Sequence, residues 1–135
     1  MAKKIVVIPG DGIGKEITES AVEVLKKVDQ KFNIGMEYEF HDAGGTAYDK
    51  YGVPLPEETV TAAKASDGVL FGAVGGDKWD SLKPELRPEK AILGLRKALF
   101  KEIMKTFLEN EEINTLIEIN DVEQQMKALD FLSGL

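Results

Sequence analysis

Two glycine-rich turns contain the residue types that are best suited to bind a ligand. The first turn, Pro9–Gly14 (PGDGIG), follows an apolar run that predicts a strand and precedes a helical pattern. Its glycines allow the backbone to approach a ligand closely, and the helix start that follows could hold an anion. The spacing differs from the dinucleotide-binding fingerprint, and Asp11 would repel a pyrophosphate. A tight turn without a ligand is therefore the alternative interpretation.

The second turn, Gly75–Asp80, contains the only tryptophan of the chain, Trp79, and continues as a long polar loop. It follows a short apolar run, and open α/β sheets bind their ligands at the carboxyl ends of such strands. Three cations near that end, Lys78, Arg87 and Arg96, could bind a carboxylate or a phosphate. The alternative is a solvated loop in which Trp79 folds back as an anchor.

Three further positions carry weaker signals. Arg96 lies beside an apolar helical stripe, where its guanidinium could bind a substrate carboxylate, or could extend to solvent or pair with an acidic side chain. His41 and Asp42 could form a proton-transfer pair, although a structural histidine is the favoured interpretation. The Gly44–Thr46 segment could allow another close approach of the backbone, and an ordinary loop is favoured there.

Hydrophobic periodicity places these turns between alternating strands and helices. Strands are predicted at 3–8, 36–41, 68–74 and 113–119, with helices at 15–32, near 47–50, at 57–65, from Pro88 toward residue 110, and from Asn120 onward. This alternation predicts an α/β fold with three layers, in which helices flank a mostly parallel sheet of about four strands. The length of 135 residues predicts a single domain.

Composition excludes several classes of function. The chain has no cysteine and one histidine, so disulfides, thiolate metal sites and thiol nucleophiles are excluded, and a histidine triad is disfavoured. The net charge of −7 argues against nucleic-acid binding, because phosphates need a basic partner. No apolar run is long enough to cross a membrane, and the first residues do not match a signal peptide. We therefore expect a cytoplasmic protein.

Five motifs occur in an order and spacing that resemble one enzyme family. They are residues 8–14 (IPGDGIG), 43–49 (AGGTAYD), 52–56 (GVPLP), 72–80 (GAVGGDKWD) and 87–97, which begins RPE and ends LRK. Together they resemble the amino-terminal part of the β-decarboxylating dehydrogenases of the isocitrate/isopropylmalate type. The KWD loop and the LRK helix are similar to the 3-isopropylmalate branch, which serves leucine biosynthesis. The resemblance covers about residues 1–99, with Lys15 and Asp77 at positions where the family usually has proline.

This resemblance implies an oxidoreductase that uses NAD and Mg²⁺ or Mn²⁺ to oxidise and decarboxylate a small-molecule dicarboxylate. By the same resemblance, Arg96 would bind a carboxylate of the substrate, while one residue of the first turn and one loop would bind the cofactor. Those cofactor-binding residues are Ile13, Gly75, Gly76, Asp77, Lys78, Trp79, Asp80, Ser81, Leu82, Lys83, Pro84, Glu85, Leu86, Arg87 and Pro88.

The remaining machinery of that family has no match in this sequence. The metal-binding aspartates, the catalytic tyrosine and lysine and the other substrate arginines would follow residue 99, and residues 100–135 are expected to be an unrelated tail. No catalytic or metal-binding residue is therefore assigned, and we expect the chain alone to bind neither cofactor productively and to be inactive. Three interpretations stay open: an incomplete or fused dehydrogenase, a non-catalytic binding module, and a dehydrogenase part with unrelated sequence appended. The family's dimer interface also has no match, so the oligomeric state is open.

Overall fold

The computed structural model describes residues 2–109 together with Asp130 and Gly134. Strands and helices alternate along the described chain, as the sequence pattern predicts. The elements are β1 (Lys3–Gly10), α1 (Ile13–Phe32), β2 (Met36–Phe40), α2 (Gly45–Tyr51), α3 (Glu57–Lys64), β3 (Gly68–Ala73) and α4 (Glu89–Glu109). The prediction of an α/β fold is confirmed.

The sheet is parallel, with strand order β2-β1-β3. The central strand carries the β-branched run Val6–Ile8, whose side chains are completely buried because a parallel strand is covered on both faces. About four strands were predicted, and the described residues contain three. The predicted strand at 113–119 and the predicted helix from Asn120 lie outside the described residues.

Helix α1 lies close to β3 because two glycines remove side chains from the contact. A Cβ atom added at Gly14 or at Gly72 would overlap the carbonyl oxygen of Pro9. The Cβ at Gly72 would also lie 2.5 Å from Oγ1 of the buried Thr18. These positions bring the first turn of α1 against the carboxyl end of β3, which is where the two glycine-rich turns of the sequence meet.

The chain divides into two compact units, Met1–Leu95 and Arg96–Leu135. The first unit contains the sheet, α1 to α3 and the start of α4, where Ala91 and Leu95 are buried. Of the second unit, the structure describes mainly the continuation of α4 to Glu109. The expectation of one domain over 135 residues stays a prediction.

Two glycines of β3 allow a matched test of this close packing. Gly72→Ala is expected to lower the melting temperature by about 5–10 °C, because overpacking a tight contact costs roughly 1–3 kcal/mol. Gly68→Ala is the control, since its Cβ would meet only Ile5 Cδ1 at an ordinary 3.5 Å. Thermal unfolding followed by circular dichroism measures both, and equal melting temperatures for the two variants would show that the contact is not tight.

Candidate functional site

The carboxyl ends of β1 and β3 lie side by side, because the two strands are parallel neighbours. The backbone N–H of Asp11 donates to the carbonyl of Ala73 at 2.7 Å, which continues the pairing past the end of β1. The chain therefore leaves the sheet at two adjacent points, into the turn at Asp11 and into the loop that starts at Gly75. This edge is where the sequence predicts a ligand.

The Asp11 carboxylate is buried at this edge, with 2% of the residue exposed. Its Oδ2 accepts hydrogen bonds from the backbone N–H of Gly45 at 2.7 Å and of Gly75 at 3.0 Å. Its Oδ1 accepts from the backbone N–H of Thr46 at 2.7 Å and from the Thr46 hydroxyl at 2.8 Å. A buried carboxylate is costly unless such donors surround it. Asp11 therefore faces the protein interior rather than a ligand.

The same contacts explain how α2 begins. Its N-cap residue, Gly44, offers no side-chain cap, so the first N–H groups of the helix need another acceptor. The carboxylate of Asp11, which is distant in sequence, is that acceptor. Its negative charge is also stabilised by the positive end of the helix dipole. A Cβ at Gly44 would lie 2.5 Å from Asp11 Oδ2, so glycine is required for the approach. The Gly44–Thr46 segment is thus a close approach within the chain and a helix start, not the loop favoured from sequence.

The ring of Trp79 packs on α2 and is half-buried there. It covers Gly45, where an added Cβ would overlap the ring atoms. The indole Nε1 donates to Asp49 Oδ1 at 3.1 Å, and Lys78 Nζ donates to Asp49 Oδ2 at 2.6 Å. The Lys78 ammonium also lies 5.3 Å from the centre of the Trp79 ring. The anchoring role that the sequence left as the alternative for Trp79 is present in the structure.

The loop backbone is unusual at Gly75, whose φ of +112° lies in a region that residues with a side chain rarely adopt. A Cβ there would lie 2.7 Å from Oε1 of Glu89, so the Glu89 carboxylate faces the loop. Glu89 opens α4 directly after the predicted cofactor loop and was not among the residues predicted from sequence. An acidic residue in the first turn of a helix is common for electrostatic reasons alone, so its type carried no specific signal.

The rest of the predicted cofactor loop contains two short 3₁₀ turns, Asp77–Trp79 and Pro84–Leu86. Arg87 Nε donates to the carbonyl of Leu82 at 3.2 Å, which closes the second part of the loop on itself. Ile13, the first residue of α1, is 61% exposed and remains accessible at the same turn as Asp11.

Arg96 is exposed on α4 and is the first residue of the second unit. His41 does not pair with Asp42: its Nε2 lies 2.7 Å from Glu39 Oε1, and Glu39 also pairs with Lys4. Asp42 instead accepts a hydrogen bond from Lys50 Nζ at 2.8 Å. The structural interpretation of His41 therefore agrees with its contacts.

No group of three or more histidine, aspartate or glutamate side chains in the described residues could hold a metal ion. Two clefts of about 320 and 530 Å³ open on the first unit, both lined by Pro9 and the larger one also by Gly10 and Thr46. No residue of 75–88 lines either of them. Within the described part of the chain, no helix has the length and hydropathy that crossing a bilayer requires.

The family model described as isocitrate/isopropylmalate dehydrogenase matches residues 4–132. The chain belongs to this family. It is 52% identical over 99 residues to the 3-isopropylmalate dehydrogenase of Xanthomonas euvesicatoria and 54% identical over 99 residues to that of Bacillus subtilis. These alignments cover 73% of the chain but only 28% and 27% of those relatives. The family resemblance predicted from the five motifs is confirmed.

A crystal structure of a β-decarboxylating dehydrogenase from Thermococcus kodakarensis has the same architecture, with a TM-score of 0.59 and 36% identity. It is matched over 73% of this chain and 27% of that one. The family model extends to residue 132, whereas the individual relatives align over 99 residues. The two comparisons thus give different limits for the resemblance, and an unrelated origin of residues 100–135 stays a prediction.

The pKa of the Asp49 carboxyl lies below its ordinary value, first because Lys78 donates a hydrogen bond to it and second because Trp79 does. A lowered pKa means that these contacts stabilise the fold above the ordinary carboxyl pKa and are lost as the pH falls through the lowered one. We expect Trp79 emission to stay constant as the pH falls from 7 and to change only below the ordinary carboxyl pKa of 3.8.

Asp49→Asn is the control for this pH dependence, because the amide keeps the shape of the carboxyl and does not titrate. The acid step in Trp79 emission should disappear in that variant. A step that persists unchanged in Asp49→Asn would assign the titration to another group.

Proposed function

We propose that this chain supplies the nicotinamide-binding wall and one carboxylate-binding arginine of a 3-isopropylmalate dehydrogenase. The main support is the 52–54% identity to enzymes of that name over the segment that carries the loop 75–88 and Arg96. The reaction class is the NAD-dependent oxidation and decarboxylation of a small dicarboxylate in leucine biosynthesis.

The residues at the sheet edge suit the nicotinamide end of the cofactor. The oxidised nicotinamide ring is cationic, and the Glu89 carboxylate faces the backbone of Gly75, where a side chain is absent. Ile13 offers an exposed apolar side chain at the neighbouring turn. In this proposal Ile13 and residues 75–88 hold and orient the cofactor, which accepts a hydride from the substrate when bound.

Arg96 would bind one carboxylate of the substrate, because a guanidinium matches a carboxylate in bidentate geometry. Among the described residues no group of three or more histidine, aspartate or glutamate side chains could hold a metal ion, so we propose no metal-binding role for them. The acid and base residues of the family also have no match in the sequence. Each acid–base group contributes about 10²–10⁴ to a rate, so we propose that the 135-residue chain alone has no measurable dehydrogenase turnover.

The test uses Trp79 as the reporter, because it is the only tryptophan and lies in the proposed loop. NAD⁺ and isopropylmalate are titrated separately and together against the emission of the purified chain, and NADH formation is measured in parallel with Mg²⁺ present. Saturable responses without NADH formation are expected. If Trp79 emission responds to neither ligand, a binding role is contradicted. If NADH forms at a steady rate, the proposed inactivity is contradicted.

Two neighbouring cations on α4 separate specific carboxylate binding from general charge. Arg96→Ala is expected to weaken isopropylmalate binding by about 10–100-fold, which corresponds to a charge-assisted hydrogen-bonded pair. Lys97→Ala, which removes an adjacent exposed cation, should leave the affinity within about twofold. Equal losses in both variants would show that Arg96 has no specific role.

A further inference from the structure

Helix α2 is attached to the proposed cofactor loop at both ends of the segment Gly75–Trp79. Asp11 holds the start of this segment through the N–H of Gly75, and Asp49 holds its end through Lys78 and Trp79. Nothing in the sequence motifs assigns α2 or Asp49 to the cofactor.

At the start of the segment, a single oxygen atom connects the helix and the loop. Asp11 Oδ2 accepts from Gly45, the first residue of α2, and from Gly75, the first residue of the loop. The Asp11 N–H is itself fixed to the carbonyl of Ala73 at the end of β3. The start of α2 and the start of the loop are therefore held at a fixed separation by a buried group that directly follows the central strand.

At the end of the segment, one carboxylate binds two consecutive residues. Asp49 Oδ2 accepts from the Lys78 ammonium and Asp49 Oδ1 from the Trp79 indole, so neither side chain can turn away while both bonds are present. The Trp79 ring rests on Gly45, the residue that Asp11 also holds. The two attachments thus meet on the same turn of α2.

We propose that α2 is the element that positions the loop Gly75–Trp79, with Asp11 and Asp49 as positioning residues. The meaning of this role for cofactor binding rests on the proposed function. A loop already held in its binding geometry does not lose that conformational freedom when the ligand arrives, so the affinity is higher. Removing Asp49 frees Lys78 and Trp79 while Asp11 still holds Gly75.

The first experiment measures collisional quenching of Trp79 by acrylamide in the full chain without ligand. Asp49→Ala is expected to raise the fraction of molecules with a released Trp79 about two- to fivefold, which corresponds to the loss of an exposed pair, and the quenching constant rises with that fraction. Asp42→Ala is the matched control, because the Asp42 carboxylate binds Lys50 on α2 at 2.8 Å and its partners in the described residues lie outside the loop 75–88. Asp49→Asn should give an intermediate value, since its amide oxygen can still accept from the indole.

Gly45→Ala disturbs the contact between the Trp79 ring and α2 without removing a carboxylate. Its Cβ would overlap only the Trp79 ring among its nearest neighbours, so the ring must move while alanine suits the helix. This variant should also raise quenching and keep the melting temperature close to that of the parent chain. If quenching in Asp49→Ala and Gly45→Ala equals that of the parent, the positioning role is wrong.

The second experiment repeats the NAD⁺ titration on the same variants. Asp49→Ala should weaken NAD⁺ binding about two- to fivefold, in proportion to the loss of loop order, and Asp42→Ala should not weaken it. If quenching rises but NAD⁺ affinity is unchanged, α2 positions the loop and its role in cofactor binding is overturned. If the parent chain binds no NAD⁺ at all, the proposed function fails, while the ligand-free quenching still decides whether α2 holds the loop.

Discussion

The buried carboxylate of Asp11 is the interaction on which the geometry of the sheet edge depends. It lies at the end of the central strand and accepts hydrogen bonds from two residues of α2 and one of the loop after β3. Moving such a charge out of water is costly, and the cost is offset only while all of these donors remain in place. The contact therefore holds three segments together that are distant in sequence.

Small residues make this arrangement sterically possible. Gly44 leaves room for the carboxylate, Gly45 leaves room for the Trp79 ring, and Gly14 and Gly72 let α1 approach β3. In each case the space is filled by another part of the same chain. Several glycines that could indicate a ligand site in the sequence therefore serve close packing within the chain. At Gly75, by contrast, the absence of a side chain leaves the backbone facing the Glu89 carboxylate.

Much of the fold could be predicted from periodicity alone. Strand β1 and helix α1 follow from a β-branched run and an apolar stripe, and their observed bounds differ from the predicted ones by two residues at one end. The contacts of the candidate site could not be predicted in this way, because they join residues far apart in the chain. Asp11 reaches 64 positions to Gly75, and Asp49 reaches 30 positions to Trp79. From the sequence, Asp11 is expected to repel a pyrophosphate. The tertiary structure shows instead that its carboxylate binds backbone N–H groups of α2 and of the loop after β3.

The most direct test of this account is the hydrogen-exchange rate of the Gly75 amide, measured by NMR on the 135-residue chain. If Asp11 holds the loop, the Gly75 amide is protected together with those of Gly45 and Thr46, and Asp11→Asn removes the protection of all three at once. If the Gly75 amide exchanges as fast as an open loop amide while Gly45 and Thr46 stay protected, Asp11 caps α2 but does not hold the loop, and the account is contradicted.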